Sequence, residues 1–412
     1  MTFGPVYFAF AAGYFLSYLY RTVNAVISPD LTRELALDPA SLGLLTGAYL
    51  LAFGAMQIPA GMLLDRYGPR RVEPVLLGVA ALGAIAFGLA DTLPGLVVAR
   101  AAIGAGVCVC LMAPLKAIAM WYPPERQPSL AGWIMVAGGI GALAATAPLE
   151  AALQFTTWRH VFIALGGVTL IVALAIAWRV PDTPPPAHAA GIAAQWAGVR
   201  AIFRHARFWW IAPLGGFGMG SFMAIQGLWA VPWMLDIEGI SRVHAADRLL
   251  ALGIVMMLGY LSLGMFSARL ARNGVLPRHL FAGGFALHAL ALAAIVVGVP
   301  GGVLWWPLYG LGAAVNVLAF TLLNAGFASG LVARVNTALN LLMFSASFVT
   351  QWGIGIVAEA AHARAGLADA DGLKLAFVIV LVLDTIALAW FGAGWRRHAT
   401  PSSVRGEPRV AH

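Results

Sequence analysis

Apolar runs of about 20 residues recur along the whole chain, separated by short polar breaks. A helix of that length crosses roughly 30 Å of hydrocarbon, so each run predicts a membrane-spanning helix. The pattern predicts twelve spans, at residues 5–28, 41–63, 72–91, 95–120, 129–151, 159–179, 208–233, 248–268, 278–298, 303–329, 337–359 and 373–395. The sequence therefore predicts an all-α integral membrane protein.

Composition supports this class. Of the 412 residues, 61% are hydrophobic and 10% are charged, whereas a soluble domain has about 25% charged residues. Such a chain cannot cover a water-soluble surface, which excludes a soluble enzyme and a disordered protein. The net charge of +8 is not gathered into a basic patch with interleaved aromatic residues, so it does not indicate a nucleic-acid partner.

One connection is long and divides the predicted spans into two sets of six. It contains a run of prolines that cannot continue a helix, followed by Ile192–Phe203, whose pattern predicts an amphipathic helix at the membrane surface. The predicted domains are an N-terminal bundle, a cytoplasmic linker, a C-terminal bundle and a cytoplasmic tail, at residues 1–180, 181–207, 208–397 and 398–412.

The basic residues orient the chain. With the N-terminus inside, sixteen of the 25 Lys and Arg residues fall in inside segments and six in outside segments. Positive residues favour the cytoplasmic side, so this pattern predicts that both termini are cytoplasmic.

A short segment is repeated in the two halves. Gly61 begins a stretch with Asp65 and Arg66, and 203 residues later Gly264 begins a similar stretch with Arg269. Both copies lie between the second and third predicted spans of their half. Internal repeats of this kind are typical of secondary transporters, whose two bundles rock around a site near the membrane midplane.

The first copy, Gly61-x-x-x-Asp65-Arg66-x-Gly68-x-Arg70-Arg71, resembles the loop 2–3 signature of the major facilitator superfamily. The resemblance implies two pseudo-symmetric six-helix bundles around a cavity that opens alternately to each side. It also implies a gating role for the signature residues, namely Gly61, Asp65, Arg66, Gly68 and Arg70.

Asp65 is predicted at the C-terminal end of a helix, where the helix dipole disfavours an anion. We therefore expect Arg66, Arg70 or the N-terminus of a facing helix to offset its charge. Such a cluster would hold one conformation and break in the other. The alternative is a solvated loop that only sets topology.

Charges inside a bilayer are costly, so each one in a predicted span is a functional candidate. Arg21 belongs to a polar stripe on the first span whose members recur every three or four residues: Tyr14, Ser17, Arg21, Asn24 and Ser28. Lipid offers no hydrogen-bond partners, so the stripe must face protein or water. The planar guanidinium of Arg21 suits a carboxylate, sulfonate or phosphonate. The alternative is a structural arginine that donates to carbonyl groups.

The segments around Arg21 resemble the anion:cation symporter branch of the same superfamily, which carries sugar acids, dicarboxylates, glutamate and sialic acid. The matching segments are Ser17-Tyr-Leu-Tyr-Arg21-Thr-Val-Asn, Ser28-Pro29-Asp30-Leu31, Leu42-Gly43-Leu-Leu-Thr-Gly-Ala-Tyr49 and Gln57-Ile-Pro59-Ala-Gly61. The resemblance implies that Arg21 contacts the substrate. Two acidic residues of the branch, which are proposed proton carriers there, are replaced here by Tyr20 and Val107. Their absence argues against proton symport by that route.

Further candidates have two interpretations each. Arg100 is either part of a coupling or structural network, as the resemblance implies, or an interfacial residue that reaches outward. Lys116 either reaches the lipid phosphates or contacts the anion. Asp384 and His288 either stabilise helix packing or carry a coupling proton.

The predicted substrate site draws on both halves. Tyr18 and Asn24 lie beside Arg21, and the second half offers polar neutral side chains at Gln226, Tyr309, Asn316, Asn340 and Gln351. Amides can bind hydroxyl groups or a carboxylate without adding charge. Hydrogen bonding between helices is the alternative role for each of them.

Together these features predict a monomeric secondary transporter of a small organic anion in the inner membrane, working by ion-coupled symport or anion exchange. A proton-coupled antiporter for drugs or metabolites is the alternative, although a central Arg21 would repel cations. We find no nucleophile–base set, metal-ligand spacing or Gly-rich nucleotide loop, so the sequence predicts no enzyme activity, no metal and no cofactor.

Overall fold

The computed structural model describes residues 4–123, 126–181, 200–327, 331–365 and 368–398. These residues are helical with short connections, and none of them lies in a β-strand. The helices of the N-terminal half are α1 (Gly4–Leu35), α2 (Pro39–Tyr67), α3 (Pro69–Leu89), α4 (Leu93–Val107), α5 (Met112–Trp121), α6 (Gln127–Ala144), α7 (Ala147–Leu153) and α8 (Trp158–Arg179). Those of the C-terminal half are α9 (Ala206–Ala224), α10 (Ala230–Asp236), α11 (Arg242–Arg272), α12 (Pro277–Val297), α13 (Gly302–Ala313), α14 (Val317–Asn324), α15 (Val332–Ala365) and α16 (Asp369–His398).

Local sequence explains where several helices begin. The Asp38 carboxylate accepts a hydrogen bond from the Ser41 amide at 2.7 Å, and Pro39 follows it at the first helical position. Thr157 caps α8 in the same way. Both side chains satisfy amide groups that a helix leaves without partners in its first turn.

Several long apolar runs contain breaks that the hydropathy pattern does not show. The seventh predicted span is α9 and α10 joined by one π-helical turn, Ile225–Trp229, and the tenth is α13 and α14 joined by a 3₁₀ turn, Ala314–Asn316. The fifth is bent by 41° between α6 and α7. Departures of this kind inside helices occur frequently at functional sites.

Ten helices of the described residues are long and apolar enough to cross a membrane, or eleven if the bent pair α6–α7 is one span. Their outward faces carry large apolar side chains such as Val75, Leu82, Ile171 and Ile386, which are exposed. Such surfaces fit a lipid environment rather than water. The predicted total of twelve spans remains a prediction, and most of the predicted linker helix falls on residues 182–199, outside the described residues.

The two halves meet along α2 and α15. A Cβ added to Gly43 would lie 2.7 Å from the carbonyl oxygen of Gln351, and one added to Gly47 would lie 2.9 Å from the Phe348 ring, so both glycines allow close backbone approach. Farther along α2, the ring centres of Phe53 and Phe344 are 4.3 Å apart. The interface therefore runs from the start of α2 to its middle.

The far end of α2 is different. There the side chains from Asp65 to Tyr67 are exposed, and Cβ atoms added to Gly61 and Gly264 would meet no atom within 4 Å. The two halves thus pack closely at the end of the molecule where α2 begins. The repeated segments, which form the last turns of α2 and α11, lie at the opposite, more open end.

Candidate functional site

Arg21 lies in α1 where the two halves meet. Its guanidinium carbon is 4.5 Å from the centre of the Tyr18 ring, 4.9 Å from that of Phe53 in α2 and 5.2 Å from that of Phe344 in α15. Its Nε is buried without a hydrogen-bond partner. No carboxylate of the described chain forms an ion pair with it. Aromatic faces hold the cation in place, the Tyr49 hydroxyl faces the guanidinium, and the Nε donor remains available for an anion.

Gln351 of α15 lies near the backbone of α1 at Arg21. A Cβ added to Gly227, in the π-helical turn, would be 3.9 Å from the Arg21 carbonyl oxygen and 4.0 Å from the Gln351 Nε2 atom. Both amide atoms of Gln351 are buried without partners, as is the Ser347 hydroxyl one turn earlier. Unpaired buried polar groups are costly, so their presence where α1, the π-helical turn and α15 meet favours a ligand-binding role.

The rest of the polar stripe on α1 is largely used within the N-terminal half. Asn24 donates from Nδ2 to the Thr46 hydroxyl at 3.1 Å, Ser17 donates to the Val107 carbonyl at 3.3 Å, and Ser28 donates to the Ala25 carbonyl at 3.1 Å. Asn24 is fully buried, although its Oδ1 has no partner. Of the predicted residues of α1, Tyr18 and Arg21 therefore have the geometry of a site, whereas Asn24 mainly ties α1 to α2.

The other predicted residues of the C-terminal half divide in a similar way. Gln226, in the π-helical turn, and Asn340 are half-buried. Tyr309 and Asn316 are buried within the C-terminal half, where the Tyr309 ring stacks on His288 and the Asn316 amide donates to the Met343 sulfur at 3.6 Å. These last two residues contact their own bundle.

Arg100 is fully buried, so it does not reach outward to the interface as one interpretation of the sequence had it. Its Nη2 donates to the Tyr20 carbonyl at 2.8 Å, and its guanidinium lies near the rings of Tyr49, Phe87 and Phe162. Arg100 thus links α4 to α1 inside the N-terminal half, which agrees with the network interpretation.

The signature loop has a different ion pair from the expected one. Lys116 of α5 donates to the Asp65 carboxylate at 2.8 Å and to the Leu64 carbonyl at 2.8 Å. Arg66 lies beside the Tyr67 ring, and the Arg70 Nε donates to the Ala177 carbonyl at 3.2 Å. The expectation that Arg66 or Arg70 offsets Asp65 was wrong, because the packing of α5 brings a lysine from 51 residues away to the end of α2.

Gly68, predicted as a gating residue, has a local structural role. It joins α2 to α3 with φ of 74°, a conformation that favours glycine, and its amide donates to the Leu64 carbonyl at 3.0 Å. Gly61 lies on the open side of α2 with no atom within 4 Å of an added Cβ.

The end of the molecule where α2 begins, at which the halves pack closely, is the closed end. There Arg242 of α11 bridges the two halves. It donates to the Asp30 carboxylate at 2.5 and 2.9 Å, to Glu150 at 2.7 Å and to the Val26 carbonyl at 3.2 Å. All three partners belong to the N-terminal half. Nothing in the sequence marks Arg242, because a basic residue in a predicted loop gives no signal of its partners.

We expect Arg242→Ala to weaken the contact between the two halves at the closed end, since Glu150 loses its cation and Asp30 keeps only Arg33 of its own helix. Double electron–electron resonance measures distances between spin labels at the exposed positions 33 and 243. The Arg242→Ala variant should show a larger population of long distances than the wild type. Arg248→Ala is the matched control, because Arg248 pairs with Glu238 within the C-terminal half. Equal distance distributions in the Arg242→Ala variant and the wild type would contradict the bridging role.

Among the described residues, two buried carboxylates have no Arg or Lys partner. Glu73 of α3 is fully buried, the Cys110 thiol faces its carboxylate, and an added Cβ on Gly13 would lie 2.9 Å from it. Asp384 of α16 accepts from the Ser221 hydroxyl at 3.0 Å and faces His288 at 3.6 Å. Sequence analysis missed Glu73. It occupies the second position of the predicted span 72–91, next to the arginines of the loop, so its charge resembled a loop charge.

The described residues contain no group of three or more His, Cys, Asp or Glu side chains that would hold a metal ion. Cys108 and Cys110 are free and buried in the break between α4 and α5.

Comparisons with known proteins agree on one family. A family model described as Major Facilitator Superfamily matches residues 10–351. An uncharacterised MFS-type transporter of Mycobacterium tuberculosis is 27% identical over 71% of this chain and 46% of its own length. The hexuronate transporter of Escherichia coli strain K12 is 32% identical over 40% of this chain and 38% of its own length. The chain therefore matches less than half the length of these curated relatives.

The fold has close structural counterparts. The crystal structure of a bacterial homologue of the human lysosomal transporter Spinster, in an inward-facing and unoccupied conformation, has a TM-score of 0.78 with this chain at 19% identity, and covers 98% of both chains. At this identity the likeness concerns the fold alone.

Proposed function

Because this chain belongs to the major facilitator superfamily, we propose that it is a secondary transporter of a small organic anion of the carboxylate class. It is a multi-pass protein of the cytoplasmic membrane, and we place both termini on the cytoplasmic side. The observation that carries the proposal is Arg21, a cation held between the two halves by aromatic rings, with an unpartnered Nε and no carboxylate partner in the described chain.

The surroundings of Arg21 favour a particular kind of anion. One guanidinium supplies a two-point contact for a single carboxylate or sulfonate group. Gln351 and Ser347 supply neutral donors and acceptors that suit hydroxyl groups. A sugar acid has this combination of one charge and several hydroxyls. The match to a hexuronate transporter supports this class.

Alternating access follows from the asymmetry between the two ends. With the proposed topology, the Arg242 bridge lies on the outside and the loop with Asp65 lies on the cytoplasmic side. The structure then corresponds to an inward-facing state, with the outer end held by charges that join the halves. Opening that end requires Arg242 to leave Asp30 and Glu150, and closing the inner end brings the repeated loops together. We propose that residues 1–180 and 208–397 form the two bundles.

The test is ligand binding by the purified protein. Ligand binding to the folded state raises the unfolding temperature, so thermal unfolding with D-galacturonate, which is a hexuronate, is compared with unfolding in neutral D-galactose. These sugars differ in bearing a carboxylate or a hydroxymethyl group at one carbon. We expect stabilisation by galacturonate, or by another carboxylate or sulfonate in a panel, and none by galactose. Stabilisation by lipophilic cations but by no anion would favour the antiporter alternative and overturn the proposal.

A further inference from the structure

A polar cluster lies sealed inside the C-terminal half. Asp384 of α16 accepts from the Ser221 hydroxyl of α9 at 3.0 and 3.1 Å, and its Oδ2 lies 3.6 Å from the Nε2 of His288 in α12. The side chain of Asp384 is 3% exposed and that of His288 is fully buried. No Arg or Lys side chain of the described residues pairs with Asp384.

The tautomer of His288 follows from its other contact. Its Nδ1 lies 3.1 Å from the Tyr309 carbonyl oxygen. A carbonyl can only accept, so Nδ1 carries a hydrogen. In the neutral ring, Nε2 then presents a lone pair toward Asp384, and Nε2 has no hydrogen-bond partner at this distance.

A lone pair facing an ionised carboxylate is repulsive, and an isolated carboxylate is costly to bury. One added proton removes both costs, because it gives either a carboxylic acid beside a neutral imidazole or an imidazolium beside a carboxylate. Closing the gap from 3.6 Å by less than an ångström brings the two atoms to hydrogen-bond distance. The pair thus has the geometry to hold one proton.

The groups around Asp384 add no competing charge. Ser221 faces it from α9, His288 from α12, and Tyr309 of α13 is the other titratable group nearby. The elements packed against α16 include α15, which presents no charged group to Asp384 among the described residues. The proton load of this cluster therefore depends on Asp384 and His288 themselves.

The cluster contacts α13, the helix that leads into the break at Ala314–Asn316. The Tyr309 ring stacks on the His288 ring with centres 4.1 Å apart, and α13 continues from Tyr309 into the 3₁₀ turn Ala314–Asn316. A protonation change at the pair acts on the His288 contact with Tyr309, and so on the position of α13. Both side chains are sealed from solvent here, so proton exchange requires a change of conformation, as coupled transport without a leak demands.

We propose that Asp384 and His288 together form the binding site for one proton that is co-transported with the anion. The proton comes from water on one side, resides on the pair, and is released to water on the other side. This inference rests on the proposed function, and it selects proton-coupled symport over plain anion exchange. It differs from the route through first- and fourth-helix carboxylates, against which Tyr20 and Val107 argue.

The transport test uses proteoliposomes and labelled D-galacturonate as the probe. A pH gradient should drive accumulation by the wild type, and Asp384→Asn should lose this accumulation while keeping counterflow exchange, which needs no net proton movement. Glu73→Gln is the matched control, because Glu73 is the comparably buried carboxylate of the other half. Gradient-driven accumulation by Asp384→Asn, or its loss in Glu73→Gln alone, would overturn the proposal. Absence of both accumulation and counterflow in the wild type would instead count against galacturonate as substrate.

A second measurement needs no substrate. Nitrogen NMR of isotopically labelled histidine, assigned with a His288→Gln variant, shows whether a hydrogen is shared between His288 Nε2 and the Asp384 carboxyl group. We expect this shared hydrogen in the wild type and in Glu73→Gln. Its absence from the wild type at every pH measured would overturn the proposal even if the substrate is still unidentified.

Discussion

Replacing Arg21 by alanine is expected to remove most of the anion affinity of the protein. A hydrogen bond to a charged group contributes about 1.5–3 kcal/mol, which corresponds to about tenfold to a hundredfold in affinity. Arg21→Lys keeps the charge but loses the planar two-point donor, so we expect an intermediate weakening. Titration calorimetry with the anion that stabilises the wild type measures all three affinities.

The control for Arg21 lies on the same helix. Arg33 is an exposed cation of α1 that pairs with Asp30, so Arg33→Ala removes one positive charge from α1 without touching the site. We expect it to bind the anion like the wild type. Equal affinity of Arg21→Ala and the wild type would move the site away from Arg21, toward the polar face of α15.

Replacing Asp65 by asparagine is expected to slow transport strongly while leaving anion binding and thermal stability near wild-type values. Asp65 is 62% exposed in its pair with Lys116. Exposed ion pairs contribute about 0–1 kcal/mol, so losing this one costs little in the conformation that contains the pair. The large effect is expected on the other state, in which the loops of the two halves must come together at this end. Uptake and counterflow in proteoliposomes measure the transport rate, and a binding measurement on the same variants shows whether the anion affinity is unchanged.

The partner variant makes the test specific. Lys116→Gln removes the cation of the same pair, and we expect it to slow transport as well. Arg66→Gln is the comparison variant, because Arg66 lies over the Tyr67 ring and its loss leaves the pair of Asp65 and Lys116 in place. Wild-type transport by Asp65→Asn would mean that the loop only sets topology.

Several features were predictable because they depend on local sequence. The apolar runs fix the helices, since a backbone in lipid must satisfy its hydrogen bonds within itself. The signature from Gly61 to Arg71 identified the family that the comparison confirms. The breaks at Ile225–Trp229 and Ala314–Asn316 were not predictable, because a π-helical or 3₁₀ turn leaves the hydropathy of a run unchanged.

The site was predictable in part. Arg21 was identified because an ionised side chain is costly at that depth of the membrane, whatever surrounds it, and therefore indicates a functional site. Asn24 lies on the same stripe but is bonded to Thr46, and periodicity does not distinguish a face toward a ligand from a face toward another helix. Glu73 was missed because a charge at the edge of a predicted span resembles a loop charge.

The sequence by itself determined that this chain is a membrane protein of the major facilitator superfamily with a cation at Arg21, because hydropathy, motif and charge are properties of short segments. The tertiary structure decided which charges meet. It paired Asp65 with Lys116, joined the halves through Arg242 and Asp30, and brought Asp384 to His288. These partners lie between 51 and 212 residues apart along the chain. Which side chains meet depends on how packing rotates the helices that carry them. No periodicity along one helix encodes which neighbouring helix supplies the opposite charge.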